Sequence, residues 1–262
     1  MTDAVPGFDV TTFTHAGRTH EVYRAGAGSA VVVVHEMPGL HPGVTKFGQR
    51  LVDAGYRVYL PSLFGRPGAP FGGSEMRRTL RQVCVSREFH LLADRTPPAV
   101  TWLRALATQA HAECGGPGVG AVGMCFTGGF ALAMAVEPAV LAPVLSQPGL
   151  PAPLTARKRA ALGLDPADLA TVKARTGDGL CVLGLRFSQD RGSPPERFAT
   201  LRAELGENFE AIEIDSSPGN PHGIPKSAHS VLTEDLVDTP GHPTRAALDR
   251  VMTFFGERLR AA

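Results

Sequence analysis

Four consecutive valines, Val31 to Val34, lie at the centre of the segment SAVVVVHE (29–36). A continuous run of β-branched residues is typical of a strand buried on both faces, as the strands of a parallel sheet are. Strand patterns then alternate with helical patterns along the chain, which indicates helices on both faces of that sheet. The predicted strands are 8–15, 19–25, 29–36, 57–61, 118–124, 139–146, 179–188 and 208–215, and the predicted helices are 44–55, 128–136, 195–205 and 245–259, with 75–111 largely helical but broken at Pro97-Pro98.

This pattern predicts the α/β class, with one doubly wound, mostly parallel sheet of about eight strands in a single domain over 1–262. The first two strands flank the turn residues Ala16-Gly17, which predicts an antiparallel hairpin within 1–28. The segment 147–178 mixes loop and helix signals, so it is either a lid or a plain crossover connection. Ligands of such sheets bind beyond the carboxyl ends of the strands, so the residues that follow each strand are the candidates for function.

The composition excludes several classes of protein. A net charge of +1 provides no positive field for nucleic acid or an anionic membrane. The longest unbroken apolar run, FALAMAV (130–136), is far shorter than the roughly 20 residues that span a bilayer. The N-terminus lacks the pattern of a secretory signal, and the four cysteines form neither a disulfide framework nor a C-x-x-C metal motif. We expect a soluble, cytoplasmic protein without a metal site.

The strongest chemical signal is the stretch Gly123-Met124-Cys125-Phe126-Thr127-Gly128-Gly129, between a predicted strand and a predicted helix. A nucleophile in a sharp strand-to-helix turn needs small neighbours, and the turn aims backbone N–H groups at the reacting carbonyl. Cys125 occupies the apex, where the N-terminus of a helix favours the thiolate. The alternative is a buried core cysteine in a glycine-rich turn.

An acid and a histidine follow in the order that triads of doubly wound hydrolases use. Asp190 comes after the strand at 179–188, and the loop after the strand at 208–215 contains His222 and His229. An imidazole takes the proton of the nucleophile, while the carboxylate fixes the tautomer of the imidazole. The alternatives are a turn aspartate and histidines of a surface loop.

The loop His35-Glu36-Met37-Pro38-Gly39 follows the first long strand, where a second oxyanion N–H is expected. A glutamate at the end of a buried strand needs a partner. Glu36 is therefore either hydrogen-bonded to the backbone of the loop or in contact with the nucleophile.

These motifs resemble the dienelactone hydrolase (carboxymethylenebutenolidase) family of the α/β-hydrolase superfamily, from about residue 20 to the C-terminus. The stretches that carry the resemblance are VVVVHEMPGL (31–40), VGMCFTGGFALAMA (122–135), LGLRFSQD (183–190), PPERF (194–198) and SAHSVLTED (227–235). The resemblance implies the α/β-hydrolase fold, acyl transfer by a Cys–His–Asp triad, a small-molecule ester or lactone as substrate, and no cofactor.

The resemblance also implies a role for individual residues. Carried over by position, these are the nucleophile Cys125, the orienting acid Asp190, the partner of the resting thiol Glu36, and the oxyanion N–H donors Met37 and Phe126. His229 matches the family better than His222 does, because the apolar start of a helix is expected to follow it.

Two features depart from the family. Its elbow reads G-x-C-x-G-G, whereas Thr127 precedes the paired glycines here, so the elbow is expected to shift or the helix to begin one residue later. The family also binds a substrate carboxylate with arginines. Arg87, Arg95 and Arg191 are candidates for that role, against the alternative of solvated helix faces and ordinary ion pairs.

The sequence therefore predicts a cysteine-dependent hydrolase of small esters or lactones that acts through a covalent acyl-enzyme. One alternative is a non-catalytic binding module with the same fold, since fold does not determine function. The other is a thiol redox protein that uses Cys125, although no resolving cysteine is suggested by the spacing. The oligomeric state has no signal in the sequence.

Overall fold

The computed structural model describes residues 5–89, 95–150 and 154–260, with the exception of the Arg87 side chain. Over these ranges eight strands form one sheet in the order β1-β2-β4-β3-β5-β6-β7-β8. The pairs β1–β2 and β2–β4 are antiparallel and the other pairs are parallel. The strands are β1 Asp9–His15, β2 Arg18–Ala25, β3 Ala30–Val34, β4 Arg57–Pro61, β5 Val119–Met124, β6 Val140–Ser146, β7 Val182–Phe187 and β8 Phe209–Ile214. The predicted fold class and N-terminal hairpin are confirmed.

Helices cover both faces of the sheet. They are α1 Pro42–Asp53, α2 Gly73–Val85, α3 Pro98–Cys114, α4 Gly128–Met134, α5 Ala156–Ala160, α6 Pro166–Gly177, α7 Pro195–Leu205 and α8 Pro243–Leu259, with short 3-10 helices at Arg87–Phe89, Cys125–Thr127 and Gly206–Asn208. The core on one face includes Trp102 of α3 and Phe198 of α7, and the core on the other includes Phe47 of α1 and Phe254 of α8. Both layers bury their apolar stripes against the sheet.

The valine run occupies the centre of the sheet, where β3 pairs with β4 and β5. Val31 and Val33 belong to the core on one face and Val32 and Val34 to the core on the other, as the two-residue period of a strand requires. All four valines have 0% exposure, which explains why this segment has no polar positions.

The parallel strands β3, β5, β6, β7 and β8 end at the same edge of the sheet. Glu36, Cys125, Gln147 and Asp190 follow the ends of four of them, and His229 lies in the long loop after β8. The segment 147–178 connects β6 to β7 through α5 and α6. The topology thus gathers residues from five loops along one edge.

One local expectation from the sequence is wrong. Residues 231–235 form turns rather than the start of a helix, and the next helix is α8, which begins at Pro243. Thr233 of this segment and Ser230 just before it bond the Glu36 carboxylate, and the backbone N–H groups of His229 and Ser230 bond the Asp235 carboxylate. These side-chain hydrogen bonds compete with the backbone hydrogen bonds that a helix needs.

Candidate active site

Cys125 lies at the tip of a sharp turn between β5 and α4. Its φ is +54°, a left-handed conformation that non-glycine residues adopt rarely and that is found at functional sites. The turn is so tight that a Cβ at Gly123 would lie 2.1 Å from the carbonyl oxygen of Thr127. A Cβ at Gly128 would lie 2.4 Å from Cα of Pro148. The two glycines are therefore required by close approach of the backbone, and the turn has the geometry of a nucleophile elbow.

Thr127 fits into the elbow because its hydroxyl is used. The side chain has 0% exposure, and Oγ1 accepts a hydrogen bond from the Met124 N–H at 3.0 Å. The same hydroxyl lies 2.9 Å from the carbonyl oxygen of Val34 and 3.1 Å from that of His35. Residues 125–127 form a 3-10 turn, and α4 begins after it, at Gly128. The threonine thus bonds the base of the elbow to the end of β3.

His229 and Asp190 lie together, as the chain order predicts. His229 Nδ1 donates a hydrogen bond of 2.7 Å to Asp190 Oδ2, and the other carboxylate oxygen accepts the N–H of Gly192 at 2.8 Å. The alternative histidine, His222, is exposed and packs edge-on against His242, with ring centroids 5.3 Å apart. The geometry thus pairs the acid with His229 and leaves His222 outside the pair.

His229 also interacts with the side chain of Cys125. Burial lowers the pKa of His229, but the negative charge of Cys125 and hydrogen bonds with Asp190 and Cys125 outweigh it and raise the pKa well above 6.5. Because Nδ1 faces Asp190, Nε2 is the ring nitrogen left for the sulfur. The His229 side chain is 30% exposed, so a substrate can reach it from solvent.

Two backbone N–H groups near Cys125 are candidates for an oxyanion hole. The Met37 N–H has no hydrogen-bond acceptor among the residues that the structure describes. Phe126 is the second residue of the 3-10 turn, where N–H groups have no acceptor within the turn. Both positions are those predicted from the sequence, at the ends of neighbouring strands β3 and β5.

His35 fixes the loop that carries Met37. Its Nδ1–H donates to the carbonyl oxygen of Glu36 at 3.0 Å, and its Nε2 accepts the N–H of Leu63 at 3.1 Å. Both bonds require the neutral ring, and burial lowers the pKa of His35 to about 4. The ring of Phe64 packs against it at a centroid distance of 4.4 Å. His35 is therefore a structural residue at neutral pH.

The carboxylate of Glu36 accepts hydrogen bonds from four side chains. Its Oε2 accepts hydrogen bonds from Ser230 Oγ at 2.8 Å and Gln147 Nε2 at 3.1 Å. Its Oε1 accepts from His41 Nε2 at 3.2 Å and from the Thr233 hydroxyl. No hydrogen bond joins this carboxylate to Cys125 within the described ranges. The arrangement differs from both expectations for Glu36, contact with the thiol and bonding to the loop backbone.

Sequence reasoning missed Gln147 and Arg197. Gln147 directly follows β6, so its position after a strand was the available signal. Arg197 is buried, and its guanidinium donates to the carbonyl oxygens of Ala161 at 2.7 Å and Pro148 at 2.8 Å. Burial lowers the pKa of Arg197 to about 10. Arg197 belongs to the PPERF stretch (194–198), but nothing in that stretch indicates its role, because its partners are carbonyl groups of distant loops.

Arg95 and Arg191, the two candidate substrate arginines whose side chains the structure describes, line different cavities. Arg191 lines an open depression of about 550 Å³ beside Asp190, together with Lys226. Arg95 lines a separate cavity of about 20 Å³ beside Phe126. The backbone of Arg87 lies in a 3-10 helix, but its side chain is outside the described residues. Among the described side chains, Arg95 and Arg191 therefore do not form a common site for a substrate carboxylate.

No three His, Cys, Asp or Glu side chains in the described ranges are arranged to hold a metal ion. None of the helices in those ranges has the length and apolar character needed to cross a bilayer.

Several solved structures are similar to this chain over nearly its whole length. A dienelactone hydrolase from Anabaena variabilis ATCC 29413 has 18% identity and a TM-score of 0.61, with 98% of this chain and 100% of that chain covered. The dienelactone hydrolase-like promiscuous phosphotriesterase P91 from metagenomic libraries has 18% identity and a TM-score of 0.59, with 96% and 98% covered. A cold-adapted esterase from an Arctic intertidal metagenomic library has 14% identity and a TM-score of 0.60, with 96% and 93% covered. These similarities show the fold.

A search of curated proteins finds no match. The family model of the dienelactone hydrolase family matches residues 18–258, which include the elbow, the acid and the histidine loop. The chain therefore belongs to the dienelactone hydrolase family.

Proposed function

We propose that the protein hydrolyses small esters or lactones through a covalent acyl-enzyme on Cys125. Membership of the family supports an ester or lactone hydrolase. The observation that carries the cysteine mechanism is the position of His229, which bonds Asp190 at 2.7 Å and pairs with Cys125. This is the order of contacts that a nucleophile, a base and an orienting acid require.

Acylation begins when the sulfur of Cys125 attacks the carbonyl carbon of the substrate. A C–S bond forms, and one electron pair of the C=O bond moves to oxygen, where the N–H groups of Met37 and Phe126 stabilise the negative charge. Collapse of this intermediate breaks the bond to the alkoxide, which takes a proton from His229. In a lactone the alkoxide stays attached to the acyl group, so the ring opens on the enzyme.

Deacylation uses the same groups in reverse order. Neutral His229 takes a proton from water, the resulting hydroxide attacks the thioester carbon, and the C–S bond breaks to release a carboxylic acid and the Cys125 thiolate. His229 then carries the proton again and pairs with the sulfur. Asp190 keeps the ring oriented in both steps by accepting from Nδ1.

The space around the elbow limits the substrate. The cavity beside Phe126 and Gly149 has about 20 Å³, which is close to the room for a single water molecule. The depression beside Asp190 is much larger, about 550 Å³, and open to solvent. These volumes support a substrate whose bulk lies on the open side, near Arg191 and Lys226.

We also assign the protein to the cytoplasm. All four cysteines are free, and a nucleophilic thiol has to stay reduced to act.

The proposal is tested by hydrolysis of p-nitrophenyl acetate and of a small lactone. We expect Cys125→Ala to react no faster than buffer, and Asp190→Asn to lose about 10⁴-fold in kcat, because the imidazole then has the wrong tautomer. The matched control is His222→Ala, which removes an exposed histidine outside the triad and is expected to keep wild-type activity. Full activity of Cys125→Ala contradicts the mechanism, and a wild type that is no faster than buffer on either substrate favours the non-catalytic module.

A further inference from the structure

The four donors that surround Glu36 come from three separate parts of the chain. His41 is the N-cap of α1, and Gln147 follows β6. Ser230 and Thr233 belong to the loop that carries His229. A carboxylate has about four acceptor positions, so all of the bonding capacity of Glu36 is used. Its carboxylate therefore joins the loop after β3, the end of β6 and the histidine loop.

Gln147 extends this connection. Its φ is +34°, a left-handed conformation that persists in a glutamine only when the surroundings hold it. Its backbone N–H donates to the carbonyl oxygen of Leu185 at 2.7 Å, and its side-chain oxygen accepts the Val231 N–H at 3.3 Å. The amide thus bonds Glu36 with one end and the histidine loop with the other.

The backbone on either side of His229 is fixed from a second direction. Asp235 Oδ2 accepts the N–H groups of His229 and Ser230, each at 2.8 Å. The side chain of Ser230 then turns to Glu36. Asp235 therefore fixes the backbone at His229, and Glu36 fixes the side chains of Ser230 and Thr233 in the same loop. Together they determine where His229 lies relative to the elbow.

Glu36 is ionised at neutral pH, which agrees with a carboxylate held in one place by hydrogen-bond donors. Burial raises the pKa of this carboxyl, but hydrogen bonds from His41, Thr233 and Ser230 outweigh burial and hold the pKa below its ordinary value. The group is 1% exposed, so water is not available to replace a donor that leaves. Turning the carboxylate toward the thiol would leave several buried donors unpaired, which is costly.

We propose that Glu36 is a positioning residue, which holds the His229 loop in register with the Met37 loop through its bonds to Ser230, Thr233 and Gln147. The inference rests on the proposed function, since it concerns how the base of the triad is held in place. It gives Glu36 a different role from that of a partner of the resting thiol.

The test breaks the connection on the side of the histidine loop. Thr233→Val removes one hydroxyl donor and keeps the shape of the side chain. We expect kcat to fall about 10-fold with KM unchanged, because the base is misplaced and substrate contacts are not. The pKa of His229, followed by NMR, is expected to fall in the same variant because its contact with Cys125 loosens. Thr233→Ser restores the hydroxyl and is expected to restore both quantities.

Glu36→Gln is expected to act in the same direction. The double variant Glu36→Gln/Thr233→Val is expected to be no worse than Glu36→Gln alone, because both changes break one network. Ser230→Ala removes a second donor and keeps the test decisive when Glu36→Gln does not fold. The matched control is Thr171→Val, at an exposed position of α6.

The proposal is overturned when Thr233→Val and Ser230→Ala keep the wild-type kcat and the wild-type titration of His229. A loss confined to Glu36→Gln then means that Glu36 acts on the thiol, and no loss in any variant means that it has no role in turnover. Failure of the proposed function is separable, because it shows as full activity of Cys125→Ala or as an inactive wild type. The titration of His229 needs no turnover, so it decides the role of Glu36 in either case.

Discussion

His229 receives two opposite influences on its charge. Burial favours the neutral ring, whereas Cys125 on one side and Asp190 on the other favour the protonated ring. The pKa of His229 is raised, so the effect of Cys125 and Asp190 is larger than the effect of burial. In enzymes that use a thiol nucleophile, a protonated imidazole stabilises the thiolate. The upward shift therefore depends on the 2.7 Å hydrogen bond to Asp190 as well as on Cys125.

This balance predicts the effect of removing the sulfur. In Cys125→Ala the pKa of His229 is expected to fall, because the charge and the hydrogen bond of Cys125 are lost while burial remains. Since the shift in the wild type is upward, the variant loses the proton of His229 at lower pH. The measurement is the pH titration of the imidazole by NMR, with the resonance assigned from its absence in His229→Asn. Cys84→Ala, at an exposed cysteine, is the control. An unchanged pKa in Cys125→Ala would show that the two side chains are not coupled.

The role of a single residue was predictable where its position after a predicted strand was a sufficient signal. Cys125 and Asp190 stand out because each follows a predicted strand and has the chemistry of a triad member. The partners of Glu36 were not predictable, because the bonds to Gln147 and Thr233 span 111 and 197 residues along the chain. One sequence without coordinates contains no signal for such contacts.

At the scale of elements, the elbow and the end of β3 act as one unit. β3 and β5 are neighbouring parallel strands, with Val34 beside Gly123. Beyond that pair, the hydroxyl of Thr127 bonds Met124 of β5 and lies within hydrogen-bond distance of the carbonyl groups of Val34 and His35. Cys125, which follows β5, and Met37, which follows β3, are thereby held at a fixed separation.

The Thr127 hydroxyl therefore contributes to stability. Thr127→Val keeps the volume but leaves the buried Met124 N–H without its acceptor, so the free energy of unfolding is expected to fall by about 1–3 kcal/mol. Urea unfolding measures the change as a lower midpoint. Thr127→Ser keeps the hydroxyl and is expected to lose less. A Thr127→Val protein as stable as the wild type would mean that the hydroxyl bonds contribute nothing.

Helices and strands were predictable where periodicity is strong. Residues 195–205 match α7, and the break at Pro97-Pro98 matches the start of α3 at Pro98. The histidine loop was predicted as a helix start from its apolar residues, but Val231 and Leu232 are buried in a turn. Hydrogen bonds to Glu36, Gln147 and Asp235 determine its shape, and none of these has a local pattern.

At the scale of the whole molecule, the sheet brings together loops that are far apart in sequence. The alternation of strands and helices was sufficient to predict a mostly parallel sheet, and the parallel strands place their carboxyl ends at one edge. The buried carboxylate of Glu36 and the guanidinium of Arg197 then join loops at that edge. Sequence patterns predict the sheet, whereas the bonds between its loops depend on the folded chain.

We propose that Cys125 carries the acyl group during turnover. The most direct measurement is mass spectrometry of wild type that is quenched in acid while it hydrolyses p-nitrophenyl acetate, followed by peptide mapping. We predict one acyl group on the peptide that contains Cys125, present during turnover, absent once the substrate is consumed, and absent from Cys125→Ala. Turnover without this acyl group, or with the acyl group on a different residue, would rule out an acyl-enzyme on Cys125.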